Sequence, residues 1–174
     1  MNQQFIKYCL LLFLSSFLLD GFSQDIPIGS WRDHLRYSDG VSVTYGDKVV
    51  YCASSSAIFS YNTEDYSIER MNKINGLSDI GIAKVIYINS SQKLLIAYTN
   101  GNLDIIDSDK NITNIPFIKN SNIIADKTIN EIYVSGSLAY LSTGFGIVVL
   151  NSTNNEILDT YLIGVGSSYV QVNA

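Results

Sequence analysis

Short apolar runs alternate with polar turn clusters along the chain from Val41 to Ile163. The runs are rich in Val, Ile and Tyr, and clusters of Gly, Asn, Asp and Ser separate them. β-branched and aromatic residues favour strands, because they pack well on a pleated, half-buried surface. The i, i+3, i+4, i+7 spacing of an amphipathic helix is not sustained after the N-terminal segment. The pattern therefore predicts an all-β chain with little helix.

The predicted strands fall into three units of four, and short turns within each unit indicate antiparallel pairing. The units span about residues 41–72, 84–118 and 128–163. In chain order the predicted strands are residues 41–45, 48–53, 57–62 and 66–72, then 84–89, 93–98, 102–107 and 111–118, and finally 128–134, 137–142, 146–151 and 156–163.

Equivalent positions recur at a nearly constant spacing. The second strand of each unit is predicted to open at Lys48, Lys93 and Ser137, which are 45 and then 44 residues apart. The same spacing relates two further sets, the mid-strand residues Tyr51, Ile96 and Tyr140 and the strand ends Asn62, Asp107 and Asn151. Four-stranded units with a period of about 40–50 residues are typical of β-propeller blades. A β-sandwich would also contain short strands, but it would not require this constant register.

The strongest turn signals lie between Asn75 and Asp107. This stretch opens with the cluster NGLSD at 75–79 and contains Asn100-Gly101 between two apolar runs. An Asn-Gly pair in this position is typical of a type I′ hairpin turn, in which both central residues need a positive φ. We therefore expect the cluster to join two blades and Asn100-Gly101 to close a two-residue hairpin.

The first residues form a predicted signal peptide, 1–23. Lys7 supplies a positive start, residues 8–19 form an apolar run, and Gly21-Phe22-Ser23 places small residues before a cut at Gln24. A cut one residue later fits the sequence equally well. The run is too short to span a bilayer, so we expect export and no transmembrane span. Cys9 lies inside this run without the small residues that precede a lipid-anchored cysteine, so it is predicted to be discarded. The mature chain, 24–174, is predicted to be a partial N-terminal β-propeller domain.

Composition and charge narrow the possible partners. The chain has 174 residues, of which 47% are hydrophobic, and its formal net charge is −5. That hydrophobic fraction is sufficient for a sizeable core. Scattered lysines on an acidic chain give no electrostatic footprint for DNA or RNA. We therefore expect no nucleic-acid partner.

The sequence offers no assembled catalytic set. His34 is the only histidine, and a nucleophile needs a base beside it. We interpret His34 as a packing or surface residue. Cys52 lies in the strand-like run VVYCAS, which favours a small core residue over a reactive thiol. The protein is therefore predicted not to be an enzyme and to have no catalytic residues.

The sequence patterns that resemble a metal-binding loop or a cofactor-binding loop are incomplete. The run from Asp107 to Asn111 begins like a calcium loop, but Ile112 and Ile118 stand where the loop needs Gly and a bidentate Glu. It is interpreted as a solvated hairpin turn. The pairs Gly144/Gly146 and Gly164/Gly166 lack a third glycine and a following helix, so they indicate tight turns and not a dinucleotide loop. We expect no cofactor and no metal.

Five segments of the chain are distinctive when they are taken together. They are NGLSDIGI at 75–82, LLIAYTNGNLDIID at 94–107, GSWRDHLRY at 29–37, YLSTGFGIVVLN at 140–151 and EILDTYLIG at 156–164. In combination these segments resemble the PorZ family, surface components of the type IX secretion system of Bacteroidetes. The resemblance covers nearly all of the mature chain, from Gly29 to Gly166.

The resemblance implies a noncatalytic scaffold at the outer membrane or cell surface. Such a protein would belong to the attachment complex with a PorU-like sortase, PorV and PorQ, which joins cargo to anionic lipopolysaccharide. Family members carry two propellers and a C-terminal β-sandwich, and continuation of the register places the first strand of a fourth blade near Ala174. We therefore expect these residues to be the N-terminal fragment of a longer propeller. The resemblance implies no catalytic or ligand residue in this segment.

A second interpretation is the glycan-sensing periplasmic propeller of a hybrid two-component regulator. Such sensors also use the NGLS turn, but they usually repeat it in many blades. Here it occurs once, and the later connections contain Ile124-Ala125-Asp126 and Gly164-Val165-Gly166 instead. A transmembrane helix and a kinase domain encoded downstream would favour this alternative.

Overall fold

The computed structural model describes residues 39–166 and 168–173 of the chain. It contains three four-stranded antiparallel sheets, each a meander in which sequential strands are neighbours. The fold class is therefore confirmed as all-β, with β-propeller blades of four antiparallel strands. The predicted signal peptide at 1–23, Trp31 and His34 lie outside the described residues.

The strands of the three blades closely follow the apolar runs. Blade 1 contains β1 (Gly40–Gly46), β2 (Val49–Ser54), β3 (Ala57–Asn62) and β4 (Ile68–Asn72). Blade 2 contains β5 (Ile82–Ile88), β6 (Lys93–Tyr98), β7 (Leu103–Ile106) and β8 (Ile112–Ile115), followed by the short helix α1 (Phe117–Asn120). Blade 3 contains β9 (Ile129–Ser135), β10 (Leu138–Thr143), β11 (Ile147–Asn151) and β12 (Glu156–Tyr161).

Blade 2 is packed on both faces. Leu94, Ile96 and Tyr98 of β6 belong to the apolar cluster shared with blade 1. Leu95 and Ala97 belong to the cluster shared with blade 3. Successive residues of a strand point to opposite faces, so one continuous apolar strand can serve both clusters. Burial of each large aliphatic side chain contributes about 1.5–3 kcal/mol, so β6 holds the three blades together.

The predicted register of β6 is wrong by one residue. Val49, Lys93 and Leu138 open the equivalent strands, so the spacing is 44 and then 45 residues. The counterpart of Tyr51 is consequently Leu95, which faces the next blade as Tyr51 does. Ile96 points to the previous blade. A slip of one residue moves a side chain to the opposite face, and in this apolar strand no polar residue marked the error.

The one-residue error in the predicted register of β6 arises from the hairpin between β6 and β7. Thr99, Asn100 and Gly101 form a three-residue loop, closed by bonds from Gly101 N–H to Tyr98 O (3.0 Å) and from Tyr98 N–H to Asn102 O (3.0 Å). Only Gly101 in this loop has a positive φ, at 81°. The expected two-residue type I′ turn at Asn100-Gly101 is therefore wrong, and the loop has the glycine that a three-residue hairpin needs in the left-handed region.

The positive φ pair of a type I′ turn occurs instead between β1 and β2. Asp47 and Lys48 have φ of 48° and 63°, and Gly46 pairs directly with Val49. The turn starts beside Gly46, where a Cβ would collide with the ring of Tyr87. Glycine is thus required at this position by the close approach of blade 2.

The predicted strand at 111–118 ends early. β8 stops at Ile115, and Phe117–Asn120 form α1 after Pro116. Proline has no N–H to donate to a sheet and a fixed φ, so it ends the strand. Ile118 on this turn is buried in the cluster between blades 2 and 3, which shows that tertiary packing selects the helical turn.

The innermost strands are also joined by polar contacts. Val85 N–H donates to Ser42 Oγ (3.1 Å) and Tyr87 N–H donates to Thr44 Oγ1 (3.0 Å), which joins β5 to β1. Lys84 of β5 forms an ion pair with Glu131 of β9 at 2.7 Å. Neighbouring blades are therefore held by side-chain bonds as well as by apolar packing.

Candidate functional site

The turn cluster at 75–79 joins blade 1 to blade 2 and is held by both hydrogen bonds and apolar packing. Leu77 is buried in the cluster between these blades, and its N–H donates to Asn72 O (3.0 Å). Asn75 Nδ2 donates to Arg70 O (2.8 Å), which folds the turn back on β4. The Asn and Leu of the cluster therefore have structural roles, and the structure confirms that the cluster is a blade junction.

Asp104 on β7 lies beneath this junction and is fully buried. Its Oδ2 accepts hydrogen bonds from Ser78 N–H (2.8 Å) and from the hydroxyl of Tyr98 (2.6 Å). Its Oδ1 accepts from Asn114 Nδ2 (2.8 Å). A buried carboxylate is stable only with such partners. Burial and then the hydrogen bond to Asp104 raise the pKa of Tyr98, so its hydroxyl keeps its proton.

Asp79 forms a second node at the same end of the blades. Its carboxylate accepts from Asn100 Nδ2 (2.7 Å) and Lys119 Nζ (2.7 Å), and Lys73 Nζ lies at 3.6 Å. Burial alone would raise the pKa of Asp79, but the bonds from Lys119, Asn100 and the Ile80 N–H outweigh it and hold this pKa well below its usual range. Asp79 therefore ties the blade junction to α1.

These two nodes connect separate segments of the chain. The carboxylate of Asp104 accepts hydrogen bonds from the blade junction, β6 and β8. The carboxylate of Asp79 accepts hydrogen bonds from the β6–β7 loop and from α1. Both nodes therefore have a structural role.

A pocket of about 200 Å³ opens between blades 1 and 2 at the opposite strand ends. Its inner part is lined by Met71, Leu94 and Ile106 and by the rings of Tyr51 and Tyr87. The two rings are parallel within 8°, with centroids 6.0 Å apart. Polar residues surround the mouth. They include Asp47, Asn62, Glu69, Gln92, Asp107 and Lys110.

The structure does not bring the candidate residues from sequence analysis together in one site. Cys52 is a free thiol of intermediate burial on the face of β2 that points away from blade 2, and is less buried than a core residue. Asp107 caps its own exposed hairpin turn, accepting from the N–H groups of Asp109 and Asn111 (both 2.9 Å). Gly144 and Gly146 lie in the tight turn between β10 and β11, as predicted, and a Cβ on either would collide with neighbouring backbone.

Sequence reasoning missed Asp104, Asn114 and the Asp79–Lys119 pair. Asp104 sits at a position within an apolar run where a strand would normally bury a hydrocarbon side chain. That polar residue in LDII was the only local signal, because its partners at Asn114 and Ser78 are 10 and 26 residues away. Within residues 39–166 and 168–173, no group of three or more His, Cys, Asp and Glu side chains could hold a metal ion.

The family model of the type IX secretion system PorZ N-terminal β-propeller domain matches residues 50–174. The chain belongs to the PorZ N-terminal β-propeller family. The match begins in β2 of blade 1 and runs through blades 2 and 3, including both polar nodes. No curated protein sequence matches the chain.

Among solved structures, PorZ of Porphyromonas gingivalis is similar, with 31% identity and a TM-score of 0.67. That protein is described as an essential bacterial surface component of the type IX secretion system. The similarity covers 71% of this chain and 17% of the PorZ chain. This chain therefore spans less than a fifth of that relative.

Two more distant structures share the fold. The extracellular domain of a hybrid two-component system from B. thetaiotaomicron has 11% identity and a TM-score of 0.59, with coverage of 71% and 17% of the two chains. The computationally designed protein Ika4 has 9% identity and a TM-score of 0.54, with coverage of 79% and 80%. At these identities the likeness concerns the fold alone.

Proposed function

We propose that this chain is part of a noncatalytic scaffold of the type IX secretion attachment complex, located at the outer membrane or cell surface. The observation that carries the proposal is membership of the PorZ propeller family across residues 50–174. Its similar structure from Porphyromonas gingivalis belongs to a surface component of that secretion system. The scaffold would assist a PorU-like sortase in attaching cargo to anionic lipopolysaccharide.

The geometry supports a scaffold because its polar side chains connect blades. Lys93 Nζ of blade 2 donates to Ser152 O (2.7 Å) and Asn155 Oδ1 (2.9 Å) of blade 3. Lys110 of blade 2 pairs with Glu69 of blade 1 at 2.6 Å. With the Lys84–Glu131 pair, each blade interface has at least one ionic or charge-assisted link. Such links add modestly to the apolar packing that positions the blades, whose surfaces a partner protein would bind.

Charge indicates how the scaffold would take part in lipopolysaccharide attachment. The formal net charge of the chain is −5, so long-range electrostatics would repel an anionic polysaccharide. We therefore infer that the main contacts of this segment are with proteins, namely the sortase and the PorV and PorQ components. In the part of the chain that the structure describes, no helix is long and apolar enough to cross a membrane.

The proposal is tested by affinity purification of the tagged, full-length protein from outer-membrane fractions after mild crosslinking. The sortase is expected to be enriched with it, and a strain lacking the gene is expected to release unprocessed cargo that carries no lipopolysaccharide. A matched control uses an unrelated surface protein with the same tag. Normal cargo attachment in the deletion strain would reject the scaffold role.

The alternative is a glycan-sensing propeller of a hybrid two-component regulator. The B. thetaiotaomicron extracellular domain supports it only at the level of fold. Fractionation distinguishes the two, because a regulator of this class would be recovered in the inner membrane together with its kinase domain. Recovery there would replace the scaffold proposal.

A further inference from the structure

The pocket between blades 1 and 2 has features of a ligand site that the scaffold role does not use. It lies at the end of the blades that carries the β1–β2, β5–β6 and β7–β8 turns, opposite the end with the Asp79 and Asp104 nodes. Its volume of about 200 Å³ is below the roughly 300–1,000 Å³ of sites for drug-sized ligands. The space is therefore suited to one six-membered ring with its substituents.

The inner wall is apolar and aromatic. Tyr51 of blade 1 and Tyr87 of blade 2 present nearly parallel rings, and Met71 and Leu94 lie beside them. Both tyrosines are held in place by the packing between the blades. A rigid aromatic wall suits a ligand that has an apolar face, since little side-chain entropy is lost on binding.

Several polar groups of the pocket have no internal partner. Among the described residues, nothing forms a hydrogen bond with the hydroxyls of Tyr51, Ser60 and Tyr87, the side chain of Gln92 or the carboxylate of Asp47. Ser60 is only 7% exposed. Asp47 and Gln92 are exposed at the mouth, and solvent reaches the hydroxyls of Tyr51, Ser60 and Tyr87 through the pocket. Here they form a ring of donors and acceptors around a concave space.

The tyrosine hydroxyls remain donors at neutral pH. Burial, then Tyr87 and Asp47, raise the pKa of Tyr51. Burial and then Asp47 raise the pKa of Tyr87. The pocket therefore offers protonated phenols beside the carboxylate of Asp47. A ligand that fits must accept and donate hydrogen bonds at the same time, as sugar hydroxyls do.

Charge limits the class of ligand. Three carboxylates line the pocket, on Asp47, Glu69 and Asp107, against the single ammonium of Lys110. Lys110 is already paired with Glu69, and both Asp107 oxygens are bound within its own turn. The carboxylate of Asp47 has no hydrogen bond or ion pair of this kind among the described residues. A ligand carrying a carboxylate or phosphate would be repelled.

We propose that this pocket binds a neutral pyranose sugar, with the apolar face of the sugar ring on Tyr51, which is the more exposed of the two tyrosines, and its hydroxyls on Asp47, Ser60 and the two phenols. Sugar binding at this site does not depend on the protein contacts of the proposed function. A monosaccharide unit of a neutral glycan fits the volume, the aromatic wall and the mixed donors and acceptors together.

The test uses saturation-transfer NMR on the full chain with methyl glycosides of glucose, mannose and galactose as probes. At least one is expected to bind with a Kd in the millimolar range. The matching uronic acid is expected to bind about tenfold more weakly, because like charges repel. Absence of binding by all three glycosides at about 50 mM, well above a millimolar Kd, would overturn the proposal.

Isosteric variants locate the binding. Tyr51→Phe and Ser60→Ala each remove one hydroxyl and are expected to weaken binding about three- to tenfold. Tyr133→Phe removes a hydroxyl from an exposed tyrosine of blade 3 and is expected to change nothing. Equal affinities for all four proteins, with thermal midpoints unchanged, would place any sugar elsewhere and reject the site.

Asp47→Asn is expected to change the preference between two ligands, which a loss of structure would not do. The substitution removes the carboxylate charge and keeps an acceptor oxygen, and Asn tolerates the positive φ of this turn position. The uronic acid is therefore expected to gain about tenfold in affinity relative to the neutral glycoside. Binding of free arginine or glucosamine more tightly than every neutral sugar would identify a cation site instead and contradict the proposal.

Discussion

Asp104 shows how one residue can determine local structure in this propeller. Its carboxylate is fully buried, and its three hydrogen-bond donors come from the blade junction, β6 and β8. Removal of the Tyr98 hydroxyl leaves Oδ2 with the Ser78 N–H as its remaining donor, and water does not reach this buried oxygen to replace the lost bond. Loss of a hydrogen bond to a buried carboxylate costs more than the net value of an ordinary hydrogen bond.

The first prediction is that Tyr98→Phe destabilises the protein by about 1–3 kcal/mol. The hydroxyl that donates to Asp104 at 2.6 Å is lost, whereas the ring remains. Chemical denaturation of the full chain measures the free energy of unfolding. Tyr133→Phe is the control, since Tyr133 is exposed and should change stability by less than about 0.5 kcal/mol. Equal effects of both variants would contradict this role of Asp104.

The second prediction concerns acid stability and Asp79. The folded pKa of Asp79 is lowered, so its contribution is complete above the unfolded value of about 3.9 and decreases as pH falls through the folded pKa. Asp79→Asn is therefore expected to cost about 1–3 kcal/mol at pH 7. The difference between the two proteins should shrink steadily below about pH 4.

Thermal or urea unfolding of both proteins between pH 7 and pH 2 measures this difference. Other carboxylates with lowered pKa values, such as those of Asp107 and Glu131, are present in both proteins. Their contributions therefore cancel in the difference between the two unfolding free energies. A stability difference that stays constant across this range would show that the Asp79 charge is not responsible.

At the scale of elements, the β6–β7 hairpin is the most informative connection. Its three-residue loop requires a left-handed glycine, and Gly101 also lies against the following connection. A Cβ at this position would be 2.8 Å from Ile118 Cγ2 and 3.0 Å from Lys127 Cβ. Gly136, between β9 and β10, also has a positive φ, but a Cβ added there would meet nothing within 4 Å.

The third prediction uses this matched pair of glycines. Gly136→Ala is expected to cost about 1–2 kcal/mol from backbone strain alone. Gly101→Ala should cost about 1–3 kcal/mol more, because the packed side chains of Ile118 and Lys127 must also move. Unfolding free energies of both variants give the comparison. A larger loss for Gly136→Ala would disprove the packing role assigned to the loop.

Strand existence could be predicted from sequence because alternating apolar runs and turn residues are local signals. The length of the β6–β7 loop, and the blade that each β6 side chain faces, could not be predicted from the sequence. Leu94 to Tyr98 are all apolar, so no alternation marks which residues face blade 1 and which face blade 3. Asn-Gly is compatible with more than one hairpin loop. Contacts with Gly81 and Ile118, far apart in sequence, accompany the longer loop.

At the scale of the whole molecule, ion pairs connect blades that apolar clusters already hold together. The Lys84–Glu131 pair joins the innermost strands of blades 2 and 3, with side chains 31% and 42% exposed. The hydrogen bond from Lys84, against the effect of burial, lowers the pKa of Glu131. Pairs with this exposure are screened by solvent, so each adds modest stability.

The fourth prediction is a coupling energy of about 0.2–1 kcal/mol between Lys84 and Glu131. It is measured by a double-mutant cycle of Lys84→Met and Glu131→Gln. The coupling should fall as salt rises from about 0.05 M to 1 M. The pair Lys48–Glu64 within blade 1 is the control. Its side chains are 59% and 61% exposed, so its coupling should be smaller. A stronger coupling there would contradict a specific role at the interface.

The candidate site was less predictable than the blade architecture. Tyr51 and Tyr87 stand in separate predicted blades, and their stacking depends on the relative rotation of two sheets. Asp47 and Gln92 occupy turns whose local sequence carries no signal of a site. Only the folded arrangement places these groups around one space, because the pocket forms across the interface between blades.

The burial of β6 on both faces has a consequence for amide hydrogen exchange. Its N–H groups pair with β5 and β7, and apolar clusters exclude water above and below the strand. Release of these protons requires blade 2 to separate from both neighbours. β6 should therefore exchange at the rate of global unfolding, whereas the outer strands β4 and β12 exchange through local opening.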